Sequence, residues 1–179
     1  MKDYFNAETA QKLGAQLGID GEEYAAWVAP RVEGLEILDR VTVFAQGLRE
    51  RLEGDYVEMV GGVVEKLGPE LAEGEGYFNH AFHLWPVSRF IELYGVDDPE
   101  VSLDAIEALT RVFTGEFAVR PFLDRYPALT MSRVHQWAGS DSHNVRRLAS
   151  EGIRPRLPWA KVYTPFVEDS SPILSLIHI

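Results

Sequence analysis

Apolar residues in this chain recur every three or four positions in short runs, and Gly, Pro, Asp, Asn or Ser opens or closes nearly every run. That spacing puts them on one face of an α-helix, not on alternate faces of a strand. In 35–52, Leu38, Val41, Phe44, Ala45, Leu48 and Leu52 fall on one stripe. Asn6 is placed to cap a first helix that stops at Gly18, and Asp20 a second, through Tyr24, Trp27, Val28 and Val32 to Gly34. Asp55 opens a fourth, which ends at Leu67-Gly68-Pro69. Residues 68–77, rich in Gly and Glu, read as a loop. A helix over 78–94 follows, with Pro86 kinking or dividing it.

Further helices are predicted over 102–113, burying Leu103, Ile106, Leu109, Val112 and Phe113, and over 116–126, with Pro121 inside the pattern. Pro127 precedes another through Val134, Trp137 and Ala138. Ser142 or Asn144 caps the one carrying Val145, Leu148 and Ala149. Pro155 and Pro158 rule out a regular helix over 154–159. There is no β-branched alternation and no Asn-Gly hairpin. The expected class is all-α. Short helices in series make either a bundle or an α-solenoid, and no repeat is identical to another.

Charge is unevenly spread. The net charge is −11, but residues 1–110 carry −14 and residues 111–179 carry +3. Eight arginines fall in the second part: Arg111, Arg120, Arg125, Arg133, Arg146, Arg147, Arg154 and Arg156. An acidic chain is a poor nucleic-acid ligand as a whole, whereas an Arg-rich portion suits bidentate phosphate contacts. The absence of cysteine excludes a disulfide framework, a thiolate zinc site and a cysteine nucleophile, and fits a cytoplasmic setting. The N-terminus has no apolar signal region and no apolar run is long enough to span a bilayer. His80 and His83, at i and i+3, have possible metal spacing, but no third ligand is evident and ordinary packing or surface histidines are the expectation. No P-loop, Gly-x-Gly-x-x-Gly, His-Glu-x-x-His or Gly-x-Ser-x-Gly motif is present. No cofactor or metal is expected.

Three segments carry a family resemblance: 82–92 (FHLWPVSRFIE), 113–123 (FTGEFAVRPFL) and 143–160 (HNVRRLASEGIRPRLPWA), joined by the opening KDYFN at 2–6. They resemble the AlkC-like branch of bacterial DNA alkylation repair enzymes, related to the AlkD type, over nearly the whole chain up to about Pro172. The resemblance implies a curved solenoid of HEAT-like repeats, with alkylated double-stranded DNA as partner. It also implies hydrolysis of the N-glycosidic bond of N3-alkylated bases such as 3-methyladenine. The expected organisation is one HEAT-like domain over 1–179, incomplete at its C-terminal end, with acidic helices over 1–76 and an Arg-rich DNA-binding face over 77–172. The family pattern puts a carboxylate at Glu116, an aromatic at Trp159 and a catalytic aspartate in the following repeat, beyond Ile179. Residues 174–179 depart from the family, which suggests a truncated or mis-assembled reading frame.

An N3-alkylated adenine is cationic, and cleavage of its glycosidic bond develops positive charge on the sugar. A fixed carboxylate at Glu116 would stabilise that charge and polarise water. Read without the resemblance, Glu116 is an acid in a helix's first turn, capped by Thr114. Trp159 could pack on the cationic base or on sugar, or simply anchor the core; Trp27, Trp85 and Trp137 sit on helical stripes and read as core. Arg120, Arg146, Arg147, Arg154 and Arg156 are the candidate DNA contacts; the bland alternative is a solvated face with Asp141 and Glu151 as salt-bridge partners. The competing functions are a non-catalytic HEAT-like DNA-binding module, an inactive fragment of the glycosylase, and a protein-interaction scaffold.

Overall fold

The computed structural model describes residues 1–179 except Trp159, Lys161, Ser175 and 177–179, together with the side chains of Phe78 and Asn79. Twelve α-helices and three short 3-10 turns make up the described secondary structure, with no strand among the described residues. The first two helices, α1 (Ala7–Leu17) and α2 (Gly21–Val28), are closed by the residues their sequences announce. The Asn6 side chain accepts from the Thr9 N–H, Asp20 accepts from the Glu22 and Glu23 N–H groups, and Gly18 takes the left-handed conformation (φ 74°) that ends α1. Helix α3 (Ile37–Arg51) buries Val41, Phe44, Ala45 and Leu48, while Leu38 stays 39% exposed at the rim of its stripe. Helix α4 (Tyr56–Val64) starts with a reciprocal pair of bonds in which Asp55 and Glu58 accept from each other's backbone N–H.

Pro86 divides the next predicted helix. A four-residue α5 (Tyr77–His80) and a 3-10 turn (Phe82–Leu84) lead into α6 (Trp85–Tyr94), with Pro86 in its first turn, where no hydrogen bond from proline is needed. Helix α7 (Pro99–Thr110) buries the predicted Leu103, Ile106 and Leu109. The expected 116–126 helix is shorter than its pattern. Residues 116–119 form a turn, and α8 (Arg120–Arg125) begins only where Pro121 can occupy the first turn. Helices α9 (Pro127–Ala138) and α10 (His143–Glu151) follow, the latter capped by Ser142, whose hydroxyl accepts from the Val145 N–H. Two short helices, α11 (Thr164–Glu168) and α12 (Ser171–Leu174), had no distinct sequence signal.

The helices stack as repeats. Helix α1 packs on α2, α3 on α6, α4 on α7, and α10 on α9 and α7. Neighbouring elements and elements three apart in the chain lie face to face, as in a HEAT-like helical-repeat solenoid. Phe5, fully buried, joins the repeats near the N-terminus, with its ring centroid 5.5 Å from Phe44 and 5.1 Å from Phe82. The Tyr24 hydroxyl donates to the Phe44 carbonyl at 2.7 Å.

Helices α1 and α2 meet through Gly14 and Gly21. A Cβ on Gly21 would lie 2.6 Å from the Gln11 carbonyl oxygen, and one on Gly14 would lie 2.9 Å from the Gly21 Cα. Both obstacles are backbone and cannot swing aside. Gly21→Ala is therefore expected to destabilise the protein by about 1–3 kcal/mol, although alanine is the better helix former by up to about 1 kcal/mol. A urea midpoint equal to or above that of the parent would show that the helices separate without cost.

Helices α1 and α4 also exchange side-chain bonds at their C-terminal ends. Gln16 Nε2 donates to the carbonyls of Lys66 (3.1 Å) and Leu67 (3.2 Å), and Lys66 Nζ donates back to the Leu17 carbonyl (2.8 Å). With its amide nitrogen so committed, Gln16 turns Oε1 toward His83 Nε2, 2.7 Å away, which sets that nitrogen as the donor. Burial, reinforced by the Lys12 charge, pushes the His83 pKa from its ordinary 6.5 down to about 4. The folded state thus holds His83 neutral. Its contribution is full above pH 6.5 and is lost as pH falls from 6.5 toward 4, on the order of 3 kcal/mol at the limit. Subtracting the stability-versus-pH curve of His83→Gln from the parent's should leave a slope in that window. A flat difference would mean that His83 titrates normally.

Candidate functional site

The turn at 116–119 holds Glu116 against α7. Gly115 makes this possible, because a Cβ there would meet Ile106 Cγ2 and Thr110 Oγ1, each at 2.7 Å. The Thr114 hydroxyl accepts from the Glu116 N–H at 3.2 Å, a local bond that fixes the carboxylate's departure from the backbone. Glu116 is one of the few buried charged residues, 9% exposed. Its Oε1 accepts from Arg147 Nη2 at 3.1 Å, while the Arg147 side chain remains 48% exposed.

Around this pair lies a cavity of about 150 Å³, lined by Tyr77, Phe82, Trp85, Phe113, Phe117 and Leu157 as well as Glu116 and Arg147. Trp85 stacks on Phe117 with centroids 5.3 Å apart. Tyr77 meets Phe113 edge-on at 6.1 Å, and the Arg147 guanidinium lies 5.6 Å from the Tyr77 ring centroid. The Tyr77 hydroxyl donates to Asn144 Oδ1 at 2.6 Å. Burial pushes the phenol's pKa up, against the opposing pull of Arg147. One carboxylate in an aromatic-walled cavity can bind a flat cation by its charge and by the ring faces.

The structure brings Glu116 and Arg147 together, sets Arg120 against the Arg154 backbone, and turns Arg146 to a different task. Arg146 Nη1 donates to the carbonyls of Ser140 and Asp141, at 2.8 and 2.9 Å, tying down the turn before α10. Arg154 pairs with Glu151, as the salt-bridge reading anticipated. Arg156 is exposed. Arg120 is 8% exposed and donates through Nη2 to the Arg154 carbonyl. That burial lowers its pKa, against the nearby Asp124 and Glu116 carboxylates, and its Nη2 bond ties α8 to the 154–158 segment. Trp159 lies outside the described residues, but its neighbours Leu157 and Pro158 wall the cavity. Much of the charge asymmetry is resolved by pairing between the two parts of the chain. Arg111 pairs with Glu70 and Glu107, Arg125 with Asp97, and Arg133 with Asp104.

Sequence reasoning missed Tyr77, read as loop, and Asn144, considered only as a cap. Trp85 is 2% exposed and so is core, but its edge also forms cavity wall. Among the described residues no group of three or more His, Asp or Glu side chains is placed to hold a metal ion, and no helix is long and apolar enough to cross a membrane.

No family model matches the chain. It is 36% identical over 149 residues to the uncharacterized protein YhaZ of Bacillus subtilis (strain 168), a match covering 83% of this chain and 38% of that protein. Its fold matches that of a Pseudomonas fluorescens alkylpurine DNA glycosylase, AlkC, solved bound to DNA containing an abasic site analog. The TM-score is 0.82 at 24% identity, over 98% of this chain and 48% of the other. The chain spans less than half the length of either protein.

Proposed function

We propose that this chain forms the base-recognition part of a DNA glycosylase that hydrolyses the N-glycosidic bond of N3-alkylated bases, 3-methyladenine among them. The observation that carries the reading is the buried Glu116 carboxylate at the edge of an aromatic-walled cavity, beside a half-exposed arginine. The fold shared with a DNA-bound alkylpurine glycosylase supports it. A cationic base is already a good leaving group, so the protein's task is to hold it and to set negative charge where the sugar becomes cationic. In this reading the rings around the cavity receive the base, Glu116 faces the developing charge and orients water, and Arg147, Arg154 and Arg156 meet phosphates. Arg146 and Arg120 shape the backbone that presents them, and Trp159 supplies an aromatic face for the cationic base.

A second reading has one observation in its favour. Because the chain spans less than half of its relatives' length, it can serve as a DNA-holding solenoid whose chemistry is completed elsewhere in a longer protein. The deciding experiment follows release of methylated bases from methylated duplex DNA, with DNA affinity measured at two salt concentrations. Base release supports the glycosylase. Salt-sensitive binding without release supports the holding module. With neither, both readings fall and a protein-interaction scaffold takes their place.

A further inference from the structure

We propose that Tyr77 and Asn144 are positioning residues for the Glu116–Arg147 pair, so that the loop over 68–76 and helix α10 jointly set where the carboxylate sits. The inference rests on the glycosylase reading for its kinetic consequence but not for its geometry.

Four side chains from three distant parts of the chain form a line of contacts. Asn144, 5% exposed, sits in the first turn of α10, three residues before Arg147. Its Oδ1 takes the Tyr77 hydroxyl at 2.6 Å across 67 residues of sequence. The Asn144 amide nitrogen points at the Arg111 carbonyl, 3.5 Å away, which leaves Oδ1 as the group facing the phenol. The Leu71 N–H donates to that same carbonyl at 3.0 Å, so the loop is pinned at Leu71 and again at Tyr77. The Tyr77 ring then stands beside the Arg147 guanidinium, whose Nη2 holds Glu116 Oε1. A half-exposed arginine has many rotamers. The neighbouring ring and carboxylate select among them, and the selection reaches Glu116 through the Nη2 hydrogen bond. Displacement of a reacting group by about 1 Å can cost on the order of 100-fold in rate, so a partial loss of this restraint should be measurable.

The test uses the full chain and two conservative changes, Tyr77→Phe, which keeps the ring, and Asn144→Ala. The Arg147 Nε–H signal in a nitrogen–proton correlation spectrum, assigned by its absence in Arg147→Lys, reports the guanidinium directly. It is expected to shift or broaden in both variants. Single-turnover base release should fall about tenfold in each, with DNA affinity changed less than about twofold. The double variant should be no slower than the slower single variant, because both changes break one link. The proposal is overturned if the Arg147 signal keeps its parent position in Tyr77→Phe and Asn144→Ala, or if the two losses multiply. If the parent chain releases no base, the proposed function has failed, and the Arg147 signal still decides the positioning role.

Discussion

Replacing Glu116 by Gln should lower single-turnover release of an alkylated base by about 100- to 1000-fold while leaving DNA affinity within about twofold. Gln keeps the volume of the side chain and still offers Oε1 to Arg147, so the cavity should survive. What disappears is the negative charge, set in a site only 9% exposed and walled by rings, where water cannot substitute for it. The fall should appear in the chemical step more than in DNA affinity, because phosphate contacts carry most of that affinity, whereas the carboxylate faces positive charge that grows on the sugar only as the bond breaks. If Glu116→Gln retained more than about a third of the parent rate, Glu116 would be a structural partner of Arg147 and nothing more.

The second large effect is on stability. Trp137 is among the largest fully buried side chains, and its indole N–H donates to Glu107 Oε2 at 3.0 Å, joining α9 to α7. Trp137→Ala is expected to cost about 3–5 kcal/mol, from lost burial and from the cavity left behind. That is a large share of a typical total stability of about 5–15 kcal/mol. Trp137→Phe keeps most of the apolar contact and loses the hydrogen bond, for about 1 kcal/mol. Urea unfolding followed by helical circular dichroism would measure both. A cost for Trp137→Ala below about 1 kcal/mol would mean that α9 does not contribute to the cooperative core.

Local chemistry was the legible part of the sequence. Asn6, Asp20, Asp55 and Ser142 cap the helices they were expected to cap, because a cap is a bond between residues two or three apart. Pro86 divides its segment for the same local reason. Pro121 shows where such reasoning overreached. The 3.6-residue pattern continues through 116–119, yet Gly115 must press against Ile106 and Thr110, and the chain turns there before α8 can start. The helix pattern left the repeat architecture as one of two possibilities, bundle or solenoid, and the family resemblance chose between them, since no two helices repeat a sequence. Glu116 was reached the same way, and nothing local distinguishes it from an ordinary acid near a helix start.

Tyr77 had no signal, and Asn144 had only that of a possible helix cap. Each is an unremarkable residue until a contact across 67 positions joins them. The arginines were legible as a cluster but not as individuals. Composition gave their number, while the partners that hold Arg111, Arg125 and Arg133 come from helices earlier in the chain. His80 and His83 were expected to be packing or surface histidines; His80 is exposed, and His83 is buried with its ring bonded to Gln16.

The exchange between Gln16 and Lys66 has a consequence for how the N-terminal end of the solenoid moves. Helix ends usually fray independently, because their last carbonyls answer only to water. Here the closing carbonyl of α1 is held by a side chain that follows α4, and the carbonyls that follow α4 are held by a side chain of α1. Neither terminus can loosen without releasing the other. The slowest-exchanging amides of the two helices should therefore share one opening free energy, a single foldon from two segments some fifty residues apart.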